Sequence, residues 1–292
     1  MDSHTIFNII LVWPIVNVLV LLYKGFLTIH LPYALGFSLI GLTILIRFIL
    51  YPFTAAQLKA SKKMQAVTPH LNKLKEKHKG DAKLLQSETM KLYKEHGINP
   101  MAGCLPVLIQ LPIIWSLYSV LQHVVASNQM DVLKQVNHIV YFPWLRLTSA
   151  WDQQFFGLPL GKTPGDLLAK GWFLILLIPI FTALFQMIQS KMMFAKPEVI
   201  EVIEKKGKKK KAIEVIDVTA KVEPKKDDFA SAMQSQTLFL LPLMLGFFSF
   251  KFAIGLSLYW NTFTIFGIIQ QYRIQGLGGL KDWIEKLSPK KN

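Results

Sequence analysis

The residue best placed to do chemistry in this chain is a charge inside an apolar run. Residues 42–53 read LTILIRFILYPF, and Arg47 sits among side chains otherwise suited to lipid. A charged residue at mid-bilayer costs ~2.5–3.5 kcal/mol on insertion scales, so something must offset it. None of the long apolar stretches contains an aspartate or glutamate, which removes a buried ion pair with a neighbouring stretch. They carry neutral polarity at helical spacing instead: Thr43 one turn before Arg47, then Thr182, Gln186 and Gln189, then Ser257, Asn261, Thr264 and Gln271, with Gln110 beside two prolines. Taken singly, each accounts for an interhelical hydrogen bond worth ~0.6 kcal/mol on average. Taken with the arginine, they point to a wet cavity in the bilayer whose positive field an anionic guest completes.

Other chemistries find no residues to carry them. Proton-coupled transport relies on intramembrane acids or histidine, and the stretches hold no acids. There is no nucleophile–base set, phosphate loop or HExxH pattern. The single cysteine, Cys104, cannot form an internal disulfide, and no Cys/His cluster has metal spacing, so neither a metal nor another cofactor is expected.

The elements that would position Arg47 follow from composition. Of 292 residues, 52% are hydrophobic, while the formal net charge is +15 and concentrated in blocks. That segregation predicts an all-α polytopic membrane protein more than a nucleic-acid binder. Stretches able to cross a core of ~30 Å occur near 33–53, 101–124, 171–190, 235–252 and 254–272, giving five predicted transmembrane helices. Residues 5–23 are interrupted by Asn8, Pro14 and Asn17, and an interfacial amphipathic helix fits them better than a sixth span. The first 32 residues thus form an N-terminal helix and linker, and 33–292 the core.

Lysine counts orient the chain. Segments 54–100 and 191–234 are strongly basic and predicted cytoplasmic, whereas 125–170 is charge-balanced and rich in Trp and Phe, as suits the outer face. The N-terminus is then outside and the basic tail, 273–292, cytoplasmic. Apolar residues at helical spacing on both sides of Gly80 predict an antiparallel helical hairpin over 55–98. The 191–234 block reads as a charged linker.

Two passages carry a family resemblance. IRFILYPFTAAQLKASKKMQAVTPHLNKLKEKHKGD and MKLYKEHGINPMAGCLPVLIQLPIIWSLY resemble the YidC/Oxa/Albino membrane protein insertases, in particular their bacterial YidC branch. The motif positions are Asn99, Pro100, Gly103, Cys104, Pro106, Gln110 and Pro112. The resemblance implies five helices around a hydrophilic groove, open to the cytoplasm and to lipid and closed outside. Arg47 would lie in that groove, with Thr43, Gln186 or Gln189, Trp260 and Asn261. It also implies a bacterial plasma-membrane location and a role in inserting and folding membrane proteins without covalent catalysis. The implied partners are newly made membrane proteins and lipids, with a Sec channel and the ribosome as further candidates, the latter through Lys281, Lys286, Lys290 and Lys291. No specific nucleic acid is implied. A Sec-associated chaperone without autonomous insertion and a lipid- or anion-conducting protein are the alternatives. The chain departs from many relatives in showing no large outer domain and no lipobox cysteine.

Overall fold

The computed structural model describes residues 5–78, 80–99, 105–121, 129–193, 236–281 and 283–284. Nearly all of the regular structure is helical. A π-helical turn, Asn8–Val12, leads into α1 (Trp13–Thr28), and α2 (Ala34–Ile49) folds back against it. Residues 29–33 make the reversal, with His30 and Tyr33 both at positive φ, near +57°. The buried stripe of the first unit, Val12, Val16, Leu19, Val20 and Tyr23, has helical spacing, as does Leu35, Leu39, Leu42 on α2.

The N-terminal segment corrects the expectation that Asn8, Pro14 and Asn17 interrupt its helix. Asn8–Thr28 runs continuously for 21 residues and is one of two described helices long and apolar enough to cross a membrane. The supposed breakers fail to break it for identifiable reasons. Pro14 falls where the π-helical turn passes into α1, so the carbonyl left without its N–H lies in a turn that already departs from the regular α pattern. The Asn17 amide donates to the carbonyls of Trp13, at 2.8 Å, and Ile139, at 3.0 Å, and its oxygen accepts from the Tyr141 N–H at 2.7 Å.

The second such helix is Phe173–Met193, a 3-10 turn continuing into α8 (Leu177–Met193). After α2 the chain bends by 61° at Leu50 into α3 (Tyr51–Lys77), and α2 reaches a spanning length only when counted with the start of α3. By itself, a 16-residue α2 is about 24 Å long. α3 and α4 (Ala82–Glu95) form an antiparallel hairpin about Gly80, whose φ is 102°. Asp81 caps α4 by accepting from the Leu84 N–H at 3.0 Å. α5 (Leu105–Val120) follows, then α6 (Gln129–Ile139).

The segment after α6 lids one end of the bundle. Its two-residue strands β1 (Gln154–Phe155) and β2 (Leu158–Pro159) pair antiparallel, and α7 (Pro164–Leu168) opens with a capping box between Thr163 and Asp166. The Phe155 ring lies directly on Gly36 of α2, in the space a Cβ would occupy. Trp151 is fully buried, edge-on to Tyr23 of α1. Lys24 donates to the carbonyls of Trp144 and Arg146. Two further helices are α9 (Leu241–Lys251), shorter than a span over the described residues even with its leading π turn, and α10 (Ile254–Gln275), 22 residues long. The N–H groups of Ile254 and Gly255 donate into the lid, to the carbonyls of Lys162 and Leu160.

Below the lid, Ser249 of α9 bridges Thr182 of α8, at 3.2 Å, and Ser257 of α10, at 2.9 Å. All three hydroxyls are buried, so α8, α9 and α10 are joined by polar contacts where apolar packing alone would leave hydroxyls unpaired.

Candidate functional site

Arg47 occupies the end of α2 opposite the lid. The helix ends at Ile49, which places Arg47 in its last turn and not, as expected, about six residues from the end of a span. A cation there is favoured by the helix dipole. The side chain does not extend toward solvent, for Arg47 is only 4% exposed. It lies on the same stripe of α2 as Leu39 and Thr43 and turns toward α10.

The guanidinium has neutral partners. Nη1 donates to Oε1 of Gln270 at 3.2 Å, Nη2 donates to the Phe263 carbonyl, and Cζ stands 3.4 Å from the centre of the Phe263 ring. Hydrogen bonds to a charged group contribute ~1.5–3 kcal/mol each and a desolvated cation–π contact about 2, enough together to offset an insertion cost of the size set by the lipid. Phe263, Gly267 and Gln270 follow one another at i, i+4 and i+7, so the arginine lies along a single face of α10.

Of the two glutamines on α8, Gln189 is the one at this site. Its Nε2 and Nη2 of Arg47 both come within 3.0 Å of where a Cβ on Gly267 would stand. No contact brings Gln186 there among the described residues. Thr43, fully buried one turn before Arg47, donates to the Leu39 carbonyl at 2.6 Å. Trp260 and Asn261 are half-buried on α10, and Gln110 reaches α10 from α5, donating from Nε2 to the Tyr259 hydroxyl at 2.7 Å. Pro106 and Pro112 fall within α5, and Asn99 stands exposed after α4. Pro100, Gly103 and Cys104 lie outside the described residues, as do 194–235 and the tail lysines Lys286, Lys290 and Lys291.

Several polar atoms of this region are buried without a hydrogen-bond partner among the described residues: Arg47 Nε, Trp260 Nε1, Asn261 Oδ1, Thr264 Oγ1, Gln270 Nε2 and Gln271 Nε2. Five of the six belong to α10. Native interiors hold few such atoms, each costing ~1–3 kcal/mol, so their concentration on one helix sets this region apart from ordinary packing. The set is richer in donors than acceptors.

Sequence reasoning missed Phe263, Gly267 and Gln270. Gln271 was included for its spacing with Ser257, Asn261 and Thr264, and that same spacing passes over its neighbour Gln270. Phe263 takes part through its carbonyl and its ring face, which no polar pattern reveals.

A family model described as "60Kd inner membrane protein" matches residues 26–278, most of the chain. The chain belongs to this family, that of the YidC, Oxa and Albino insertases. It is 30% identical over 285 residues to "ALBINO3-like protein 1, chloroplastic" of Arabidopsis thaliana, covering 93% of this chain and 49% of the relative. It is 28% identical over 243 residues to "Membrane protein insertase YidC" of Fusobacterium nucleatum, covering 83% of this chain and 87% of that relative. "Membrane protein insertase YidC" of Rickettsia felis matches at 28%, over 82% of this chain and 35% of its own length. The chain thus spans about half the length of the chloroplast Albino relative it matches, and most of the Fusobacterium one.

Proposed function

We propose that this protein inserts integral membrane proteins and helps them fold, without covalent catalysis, by lowering the cost of bringing polar residues into the bilayer. The observation that carries the reading is the buried Arg47, held only by neutral partners among the described residues and bordered by unpaired polar atoms of α10. Such a site keeps a full positive charge available to an acidic segment. Phe263 and Gln270 stabilise the guanidinium in the resting state with contacts weaker than a carboxylate would make. An incoming carboxylate therefore gains by replacing them.

On this reading the five predicted spans enclose a polar groove containing Arg47, Thr43, Gln189, Trp260 and Asn261. The N-terminus and lid face outward in a bacterial plasma membrane, and the hairpin and tail face the cytoplasm. The hairpin receives the incoming chain along its basic surface, which includes a cleft of ≈ 290 Å³ between α3 and α4 lined by His70, Lys73, Lys77, Glu88, Lys91 and Glu95 together with Leu74 and Leu92. A short acidic tail then enters the polar site while its apolar segment partitions into lipid. The membrane potential adds ~2.3 kcal/mol per negative charge per 100 mV to outward movement. Partnership with a Sec channel or the ribosome belongs to the same proposal.

Purified protein in liposomes, given a single-span substrate with an acidic tail, tests this. Insertion above background that drops on Arg47→Ala supports it. Background insertion with wild type and Arg47→Ala alike overturns it, leaving a chaperone that needs a separate channel. Arg47-dependent anion flux or lipid scrambling in place of insertion would identify a conducting protein.

A further inference from the structure

We propose that Gly267 is the positioning residue that seats Arg47 against α10. The inference deepens the insertase reading and rests on Arg47 meeting the substrate tail. Gly267 lies one turn after Phe263 and nearly one before Gln270, in the middle of the face that holds the guanidinium. A helical Cβ tilts toward the N-terminus, so any side chain at 267 would project back over the Phe263 carbonyl. That carbonyl is the one that accepts from Arg47 Nη2. A Cβ built there stands under 3.0 Å from Arg47 Nη2 and Gln189 Nε2, and 3.2 Å from Arg47 Cζ.

The atoms in the way decide what a substitution does. Both close atoms are the far ends of flexible side chains, so the fold can accept a methyl group at 267 while the guanidinium and the Gln189 amide cannot keep their places. Gly246 on α9 is the contrast. A Cβ there meets Ala183 Cβ at 2.9 Å and the Pro179 carbonyl at 3.1 Å, and relieving that contact requires helices α8 and α9 to part. Gly246 is a packing glycine and Gly267 a seat for a charge. Alanine has the higher intrinsic helix propensity, so a glycine at 267 costs helix stability and returns access to one carbonyl.

Labelling with ¹⁵N-arginine in micelles tests the seat without any substrate, because the chain has three arginines, Arg47, Arg146 and Arg273. The guanidinium over the Phe263 ring gives an upfield-shifted signal, identified by its loss in Arg47→Lys. Gly267→Ala should move that signal toward those of the exposed arginines, and it should lower thermal stability less than Gly246→Ala does. An unmoved Arg47 signal in Gly267→Ala overturns the proposal. In liposomes, Gly267→Ala should cut insertion of an acidic-tailed substrate at least about fivefold, because a displaced guanidinium no longer presents its charge where the tail meets it. A neutral-tailed substrate should stay within about twofold, and adding Gly267→Ala to Arg47→Lys should change little more, since the clashing guanidinium is already gone and only the Gln189 amide has still to move. Equal loss for both substrates would make Gly267 another packing residue and sink the proposal. If Arg47→Ala leaves acidic-tailed insertion intact, the role given to Arg47 in insertion fails while the arginine signal still decides the seat.

Discussion

Gln110 of α5 and Tyr259 of α10 are joined by a 2.7 Å hydrogen bond from the amide to the phenol oxygen, with Tyr259 1% exposed. This ties a residue of the family motif to the helix that carries the Arg47 site. Tyr259→Phe keeps the ring and removes the acceptor, leaving the Gln110 amide short of one bond. The bond itself is worth ~0.6 kcal/mol in a membrane protein, and the orphaned amide adds to the loss, so destabilisation of about 1 kcal/mol is expected. Thermal unfolding in detergent measures it. Adding Gln110→Leu should recover part of the loss, because no orphan then remains; a double variant less stable than the sum of the singles would contradict this.

Asn17 makes three hydrogen bonds, one within α1 to Trp13 and two that join α1 to Ile139 and Tyr141 at the end of α6. Asn17→Leu has nearly the same volume and none of the bonds, so the Ile139 carbonyl and the Tyr141 N–H lose their α1 partner. The expected outcome is local: amide hydrogen exchange over 139–147 should rise by at least about tenfold, corresponding to 1.4 kcal/mol, while exchange in α8 and α9 stays unchanged. A global rise would show that Asn17 supports the bundle and not the lid.

Arg47 is held by two directed hydrogen bonds and a ring face, and lysine can satisfy only some of them. Arg47→Lys preserves the charge and loses the simultaneous hold on Gln270 and the Phe263 carbonyl. Insertion of acidic-tailed substrates should therefore be retained in part in Arg47→Lys, fall further in Arg47→Ala and further still in Arg47→Glu. Equal loss in the lysine and glutamate variants would mean that geometry, not field, attracts the tail.

What the sequence made legible divides along physical lines. Arg47 stood out because a charge in an apolar run is costly wherever it sits, and the absence of acids ruled out a salt bridge; the fixed neutral partners Gln270 and Phe263, in place of a hydrated cavity, were not legible. The hairpin about Gly80 was legible through helical periodicity and a glycine. The continuous helix through Pro14 and Asn17 was not, because a proline's harm depends on the local helix geometry, here a preceding π turn, and an asparagine's on partners more than a hundred residues away. The 61° bend at Leu50 was hidden as well, and it moved Arg47 from the interior of an assumed span to the end of α2. Gly267 was invisible because the information lies in the side chain it lacks.

Acid should loosen the lid at one defined point. The Thr163 N–H donates to Asp166 Oδ2 at 3.0 Å, and the Asp166 N–H donates to the Thr163 hydroxyl oxygen at 3.1 Å. The bond from the Thr163 N–H holds the Asp166 carboxyl below its ordinary range, helped by the threonine side chain and by Lys162 and Lys170. Because the folded value is the depressed one, the carboxylate contributes stability above its unfolded pKa of ~3.9 and loses it as pH falls toward the folded value. The site is exposed to solvent, so the contribution is about 0.5 kcal/mol, the low end for a helix cap. Asp166→Asn should thus unfold at a slightly lower temperature than wild type at pH 7, and the difference should close as pH drops below ~4. A gap that persists in acid would assign the effect to packing around α7 and not to the charge.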